Sequence, residues 1–106
     1  MNSDVRLFYI TCPTQEVSQS IATTLLKEGL IACANILPHM ESLYSWEDKI
    51  TSTQEAVLIL KSTKDLADRV MSRVSSMHPY NTPCILVLPV EKGHEAYIKW
   101  LKGSLN

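Results

Sequence analysis

The chain has 106 residues, 45% of them hydrophobic and 20% charged, the balance of one ordinary globular domain spanning residues 1–106. Ten basic residues are scattered among eleven acidic ones for a net charge of -1, which argues against the basic stripe of a nucleic-acid binder. No apolar run approaches the roughly 18 residues of a membrane span, and the polar start Met1-Asn2-Ser3-Asp4 lacks the form of a signal peptide, so a cytoplasmic protein is expected.

Val5 to Thr11 is rich in β-branched and aromatic residues and reads as a first strand that Pro13 stops. Thr14 is placed to cap a helix with Glu16 in its first turn. Val17, Ile21 and Leu25 then fall four apart on one face, and Gly29 is the expected stop. Leu30 to Leu37 is apolar and dense in small residues, a buried second strand that Pro38 interrupts and Met40 to Trp46 continues. The segment from Trp46 to Ile50 is predicted to be a turn with a charged tip, and a long return strand runs from Ile50 to Leu60.

Ser62 with Asp65 three residues on resembles a capping box, and Leu66, Val70, Val74 and Met77 form an apolar helical stripe up to Pro79. Pro83 to Val90 reads as a fourth strand. Tyr97, Ile98, Leu101 and Leu105 mark a short last helix. The order β-α-β-β-α-β-α contains the split βαβ pattern of a ferredoxin-like α+β sandwich, with an added C-terminal helix; another small α/β sandwich shares that order.

The central hairpin is long for so small a domain. Thirteen residues of strand span about 43 Å, whereas a 100-residue domain has a radius of gyration near ~13 Å. Its tip is therefore expected to protrude, and its exposed edges to pair with another chain. A domain of this size buries only roughly two-thirds of its unfolded surface, so assembly would add stability.

The stretch Ala32-Cys33-Ala34-Asn35-Ile36-Leu37-Pro38, followed by Ser42-Leu43-Tyr44-Ser45-Trp46-Glu47-Asp48-Lys49-Ile50, resembles the signature of the CutA divalent-cation tolerance family. Glu55 to Lys61 is similar to that family's third strand. His78-Pro79-Tyr80 with Pro83 and Leu86 to Val90 is similar to its fourth, and Tyr97 and Trp100 match the aromatic pair of its last helix. The resemblance runs from Val5 to Leu105. It implies a ferredoxin-like fold, a homotrimer shaped like the PII signalling proteins, and a role in tolerance of divalent cations, copper above all. The chain departs from the pattern at His39 and Asp48, where glycine is common, and at Cys84, where an acidic residue is common.

Given that link, copper or another divalent cation is the expected inorganic ligand, and no organic cofactor is expected. Copper(I) favours thiolate and thioether ligands, and copper(II) suits imidazole and oxygen. Cys12, Cys33, His78 and Cys84 are the candidate ligands, with Met40 and Met77 as soft extras and His39 and His94 as solvent-facing turn residues. There is no CxxC or HxxxH pairing, so a site has to be assembled in space or across subunits. Three cysteines without short paired spacing argue for free thiols rather than a disulfide scaffold.

Each candidate has a plainer reading. Cys33 in its Ala-rich strand suits a small buried hydrophobe. Cys12 stands near a helix N-terminus, a place that can lower a thiol pKa. His78 can satisfy the last carbonyls of its helix.

Tyr44, Trp46, Tyr80, Tyr97 and Trp100 either line an inter-subunit cleft or pack a core, and Lys61 is placed to reach an anion in that cleft or to form a surface ion pair. Enzymatic readings fare poorly, with no Gly-rich phosphate loop, no Gly-x-Ser-x-Gly elbow and no HExxH. The rivals to metal binding are a PII-like regulator that takes a small molecule or a protein partner in the clefts, and a scaffold whose metal phenotype is indirect.

Overall fold

A computed structural model describes residues 3–105. Strand β1 spans Val5–Cys12; Phe8, Ile10 and Cys12 point into the core, and Val5 at its start is buried as well. Thr14 caps α1 (Gln15–Lys27): its hydroxyl accepts from the Val17 N–H at 3.1 Å. Ile21 and Leu25 are buried on the expected face. The helix ends at Gly29, whose φ of 71° places it in the left-handed region that glycine adopts without strain.

The second strand starts later than its apolar run suggests. β2 is Cys33–Trp46, and Leu30 and Ile31 are core residues of the connection before it. The turn at Gly29 delivers them inward before the chain reaches the sheet, with the Leu30 N–H donating to the Leu25 carbonyl at 3.0 Å. β3 (Lys49–Thr63) returns antiparallel to β2. Their register shifts between Leu37 and Met40, at Pro38, whose nitrogen has no proton for the ladder.

The turn of this hairpin is only Glu47 and Asp48, tighter than the five residues expected, and both have positive φ, 49° and 64°. The tip does protrude: the molecule measures 46 × 28 × 22 Å, and every residue from Leu43 to Ile50 is exposed.

The expected capping box is absent. Ser62 is still in β3, fully buried, and its hydroxyl donates to the Leu30 carbonyl at 2.6 Å. Asp65 accepts from the Thr63 hydroxyl at 2.6 Å. The strand persists to Thr63, so a short 3-10 turn (Lys64–Leu66) precedes α2 (Ala67–Met77). β4 is trimmed to Ile85–Pro89, and α3 spans Glu95–Gly103.

The four strands form one antiparallel sheet in the order β2-β3-β1-β4. The fold is therefore the expected ferredoxin-like α+β sandwich with an extra helix. α1 and α2 cover one face, where Phe8, Ile10, Leu58 and Leu60 meet Ile21, Leu25, Val70 and Val74. Strand alternation sends Leu7, Tyr9, Ile59 and Lys61 to the other face, joined by Leu86 and Leu88 opposite Tyr9 and Leu7. Neither α1 nor α2 covers that face.

Candidate functional site

The sequence-predicted residues separate into two groups at opposite ends of the sheet. Cys12 closes β1, with His78 and Tyr80 beside it after α2 and Cys84 just before β4. Cys33 opens β2 directly opposite Lys61 on β3, beneath α3. Cys12 pairs with Ala56 and Cys33 with Lys61, so the two thiols stand five residues apart along β3 and on opposite faces. One metal ion cannot bind both within one chain.

At the first end His78 is 7% exposed and both its ring nitrogens are engaged. Nδ1 accepts from the Tyr80 N–H at 3.1 Å, which fixes the proton on Nε2, and Nε2 donates to the Thr11 carbonyl at 2.8 Å. The imidazole is thus a strut between the end of α2 and β1, with both ring nitrogens occupied and none left over for a metal.

The Tyr80 ring packs against it with centroids 4.8 Å apart, and the Tyr80 hydroxyl donates to Glu55 Oε2 at 3.1 Å. Partial burial, then the Glu55 carboxylate, hold the Tyr80 phenol above its ordinary pKa. Cys12 is fully buried, and burial pushes its thiol up, opposed by the Ser18 hydroxyl and reinforced by the Glu55 charge. The expected lowering at a helix N-terminus is overridden: Cys12 lies inside the core, where a thiolate has lost its water.

At the second end the Lys61 ammonium donates to the Tyr97 hydroxyl at 3.1 Å and stands 5.3 Å from the centre of that ring. Tyr97 and Trp100, one turn apart on α3, have centroids 5.5 Å apart at a 34° tilt. Both rings are exposed, as are Tyr44 and Trp46 on the hairpin. Trp46 pairs with Lys49 at the tip, twelve residues along β3 from Lys61, or about 40 Å. Trp46 and Trp100 of one chain therefore never meet, and the single cleft expected from the sequence is divided in two.

Sequence reasoning missed Glu55 and the uncovered sheet face. A carboxylate heading the apolar run Ala56 to Leu60 was a visible signal for the first. Its partner Tyr80 lies 25 positions away, and no local pattern links them. His39 and His94 are exposed as expected, but His39 lies within β2 rather than in a turn.

Among the described residues no three of His, Cys, Asp and Glu gather into a group that could hold a metal ion. With His78 engaged at both nitrogens and Cys12 buried and protonated, the donors of one chain do not fit a metal centre. Cys33 and Cys84 are the two partly accessible thiols. Among the described residues no helix is long and apolar enough to cross a membrane.

Residues 6–104 match the CutA1 divalent ion tolerance protein family. The divalent-cation tolerance protein CutA of Thermus thermophilus is 39% identical over 95 residues, which cover 90% of this chain and 92% of that protein. The chloroplastic protein CutA of Arabidopsis thaliana is 38% identical over 96 residues, and there the chain spans 53% of the relative's length. The crystal structure of the divalent ion tolerance protein CutA1 from Ehrlichia chaffeensis superposes with a TM-score of 0.92 at 36% identity, covering 98% of this chain and 96% of that one. The chain belongs to the CutA1 family.

Proposed function

We propose that this chain acts in divalent-cation tolerance as a non-enzymatic homotrimer, and that copper(I) is captured between copies by the thiols of Cys33 and Cys84. The observation that supports assembly is the sheet face that α1 and α2 leave open, with α3 reaching only its Lys61 end. Leu37, Leu86 and Leu88 on it are 51%, 57% and 46% exposed in the single chain. A large apolar face on a small domain is a contact surface, and a closed ring buries it in every copy.

The accessible thiols support the ligand assignment. Cys33 shares the uncovered face with Lys61. Cys84 directly precedes Ile85, which pairs with Ile10 at the other end of the sheet, so only another copy brings it to Cys33. Facing copies supply the second donor that one chain lacks, and two thiolates suffice for a soft monovalent ion. Thiols that work in this way need a reducing compartment, which favours the cytoplasm.

Equilibrium dialysis of reduced copper against the purified, reduced protein tests this reading. Stoichiometric binding is expected, lost in Cys33→Ser and Cys84→Ser and retained in Cys12→Ala. Weak binding that is equal in all variants would overturn the copper assignment and leave tolerance as an indirect effect of the trimer.

A further inference from the structure

The connection from α2 to β4 is anchored at its start by the buried imidazole of His78. The backbone there stays tied to the helix, with the His78 N–H donating to the Val74 carbonyl at 2.9 Å. Its ψ of 136° is the extended conformation that a residue before proline adopts. Pro79 has no N–H, so the Tyr80 N–H is the first donor after the helix, and it turns back onto His78 Nδ1 at 3.1 Å. Nε2 lies 2.8 Å from the Thr11 carbonyl on β1. The ring is therefore fixed from both sides.

A backbone N–H only donates, so the bond to Tyr80 needs a lone pair on Nδ1. An imidazolium has none, and a proton added at Nδ1 meets the Tyr80 N–H head on. Every buried side-chain nitrogen and oxygen among the described residues has a partner, so that proton turns a satisfied contact into a repulsive one. The ion pairs among the described residues are Arg73 with Glu28 and Lys102 with Asp4, and neither brings a carboxylate onto His78.

The titratable groups turned towards Tyr80 are Cys12 from β1, Glu55 from β3 and Tyr44 from β2. Thiols and phenols titrate on the alkaline side of neutrality, which leaves Glu55 as the carboxylate of the cluster. Its Oε2 accepts from the Tyr80 hydroxyl at 3.1 Å, while the Tyr80 ring rests on the imidazole with centroids 4.8 Å apart. Tyr80 is thus held at two points, by its backbone on His78 and by its hydroxyl on Glu55.

We propose that His78 is an acid-sensitive latch for residues 79–84: with a lone pair on Nδ1 it holds Tyr80 against Glu55, and protonation of the ring releases both. Histidine is the side chain that ordinarily changes charge between about pH 5 and 8, so release belongs to mild acid. It frees the Glu55 carboxylate and loosens the segment that leads to Cys84. The latch is built from contacts within one chain and uses neither the open sheet face nor a metal.

The test is an NMR pH titration of the reduced, 15N-labelled full chain with a chelator present, from about pH 7.5 to 5. Ring nitrogen shifts read the charge of each imidazole, and hydrogen exchange, corrected for its own pH dependence, reads the Tyr80 amide. The exposed His39 and His94 are the reference rings. Near neutrality His78 is expected to carry its proton on Nε2. As the ring becomes charged, protection of the Tyr80 amide is expected to fall by about tenfold or more, the size of one lost hydrogen bond.

His78→Asn sets a side-chain oxygen in the place of Nδ1 that accepts without titrating, and it is expected to hold Tyr80 throughout the range. Glu55→Gln keeps an acceptor for the Tyr80 hydroxyl and removes the carboxylate, and there the transition is expected to persist. Unchanged protection of Tyr80 while His78 takes up its charge would overturn the proposal, as would a His78 ring still uncharged at the acid end. A transition that survives in His78→Asn or vanishes in Glu55→Gln would also overturn it, by assigning the release to Glu55. If His78→Asn does not fold, the wild-type comparison of ring charge with Tyr80 protection decides alone.

Discussion

Two side chains whose roles sequence reasoning assigned to chemistry turn out to be held by burial. Cys12 follows the β1 alternation into the core, and its thiol is raised above the ordinary value of 9.0. Tyr80 is raised above 10.0 by desolvation and by Glu55. A raised folded pKa means that the native state keeps its proton while the unfolded chain loses it. The contribution is fully present below the ordinary value and is lost as pH rises through the raised one. Thermal stability is thus expected to fall as pH climbs above 9.0, with Cys12 first and Tyr80 later. Cys12→Ala should flatten the early part of a melting-temperature profile against pH. An unchanged profile in that variant would show that the thiol does not titrate with folding. The sequence reading ends β1 at Thr11 and leaves Cys12 at the junction with α1, one residue short of the strand's true end. Its environment was not legible either, because desolvation depends on α1 and β3 packing over it.

At the scale of elements, periodicity identified the strands and helices, and the errors cluster at boundaries. Leu30 and Ile31 carry the apolar character of a strand without its pairing, since burial and strand pairing leave the same mark in sequence. Ser62 and Asp65 imitate a capping box, because sequence alone does not show where β3 stops, and a buried strand serine bonded to Leu30 has the same letters as an N-cap.

The hairpin turn carries a cost that sequence reasoning did not reveal. A two-residue turn with positive φ at both positions suits Asn-Gly, and here it is Glu47-Asp48. A glutamate in the left-handed region costs on the order of 1 kcal/mol, a strain asparagine largely avoids. Glu47→Asn is expected to stabilise the protein by about 0.5–1 kcal/mol, read as a higher thermal midpoint. A lower midpoint would mean that Glu47 makes a contact with another copy at the tip.

At the scale of the whole molecule, the long hairpin was legible from its residue count, but the uncovered sheet face was not. Leu86 and Leu88 look like any buried strand in sequence, since a residue packed on a helix and one packed on another copy carry the same side chains. The alternation of β1 and β4 separates them: Val87 and Ile85 pack on the core while Leu86 and Leu88 face away from α1 and α2. That difference gives a test of assembly that spares the fold. In the single chain Leu86 is 57% exposed, so a charge there costs the monomer little. In a ring closed through this face the same charge would lie in an apolar interface without a partner, at a cost of several kcal/mol. Leu86→Glu is therefore expected to give a monomer by light scattering with its circular dichroism intact. The wild type is expected at three times that mass. A Leu86→Glu protein that still runs as a trimer would move the interface off this face and onto the edge of β2, whose outer side has no strand beside it among the described residues.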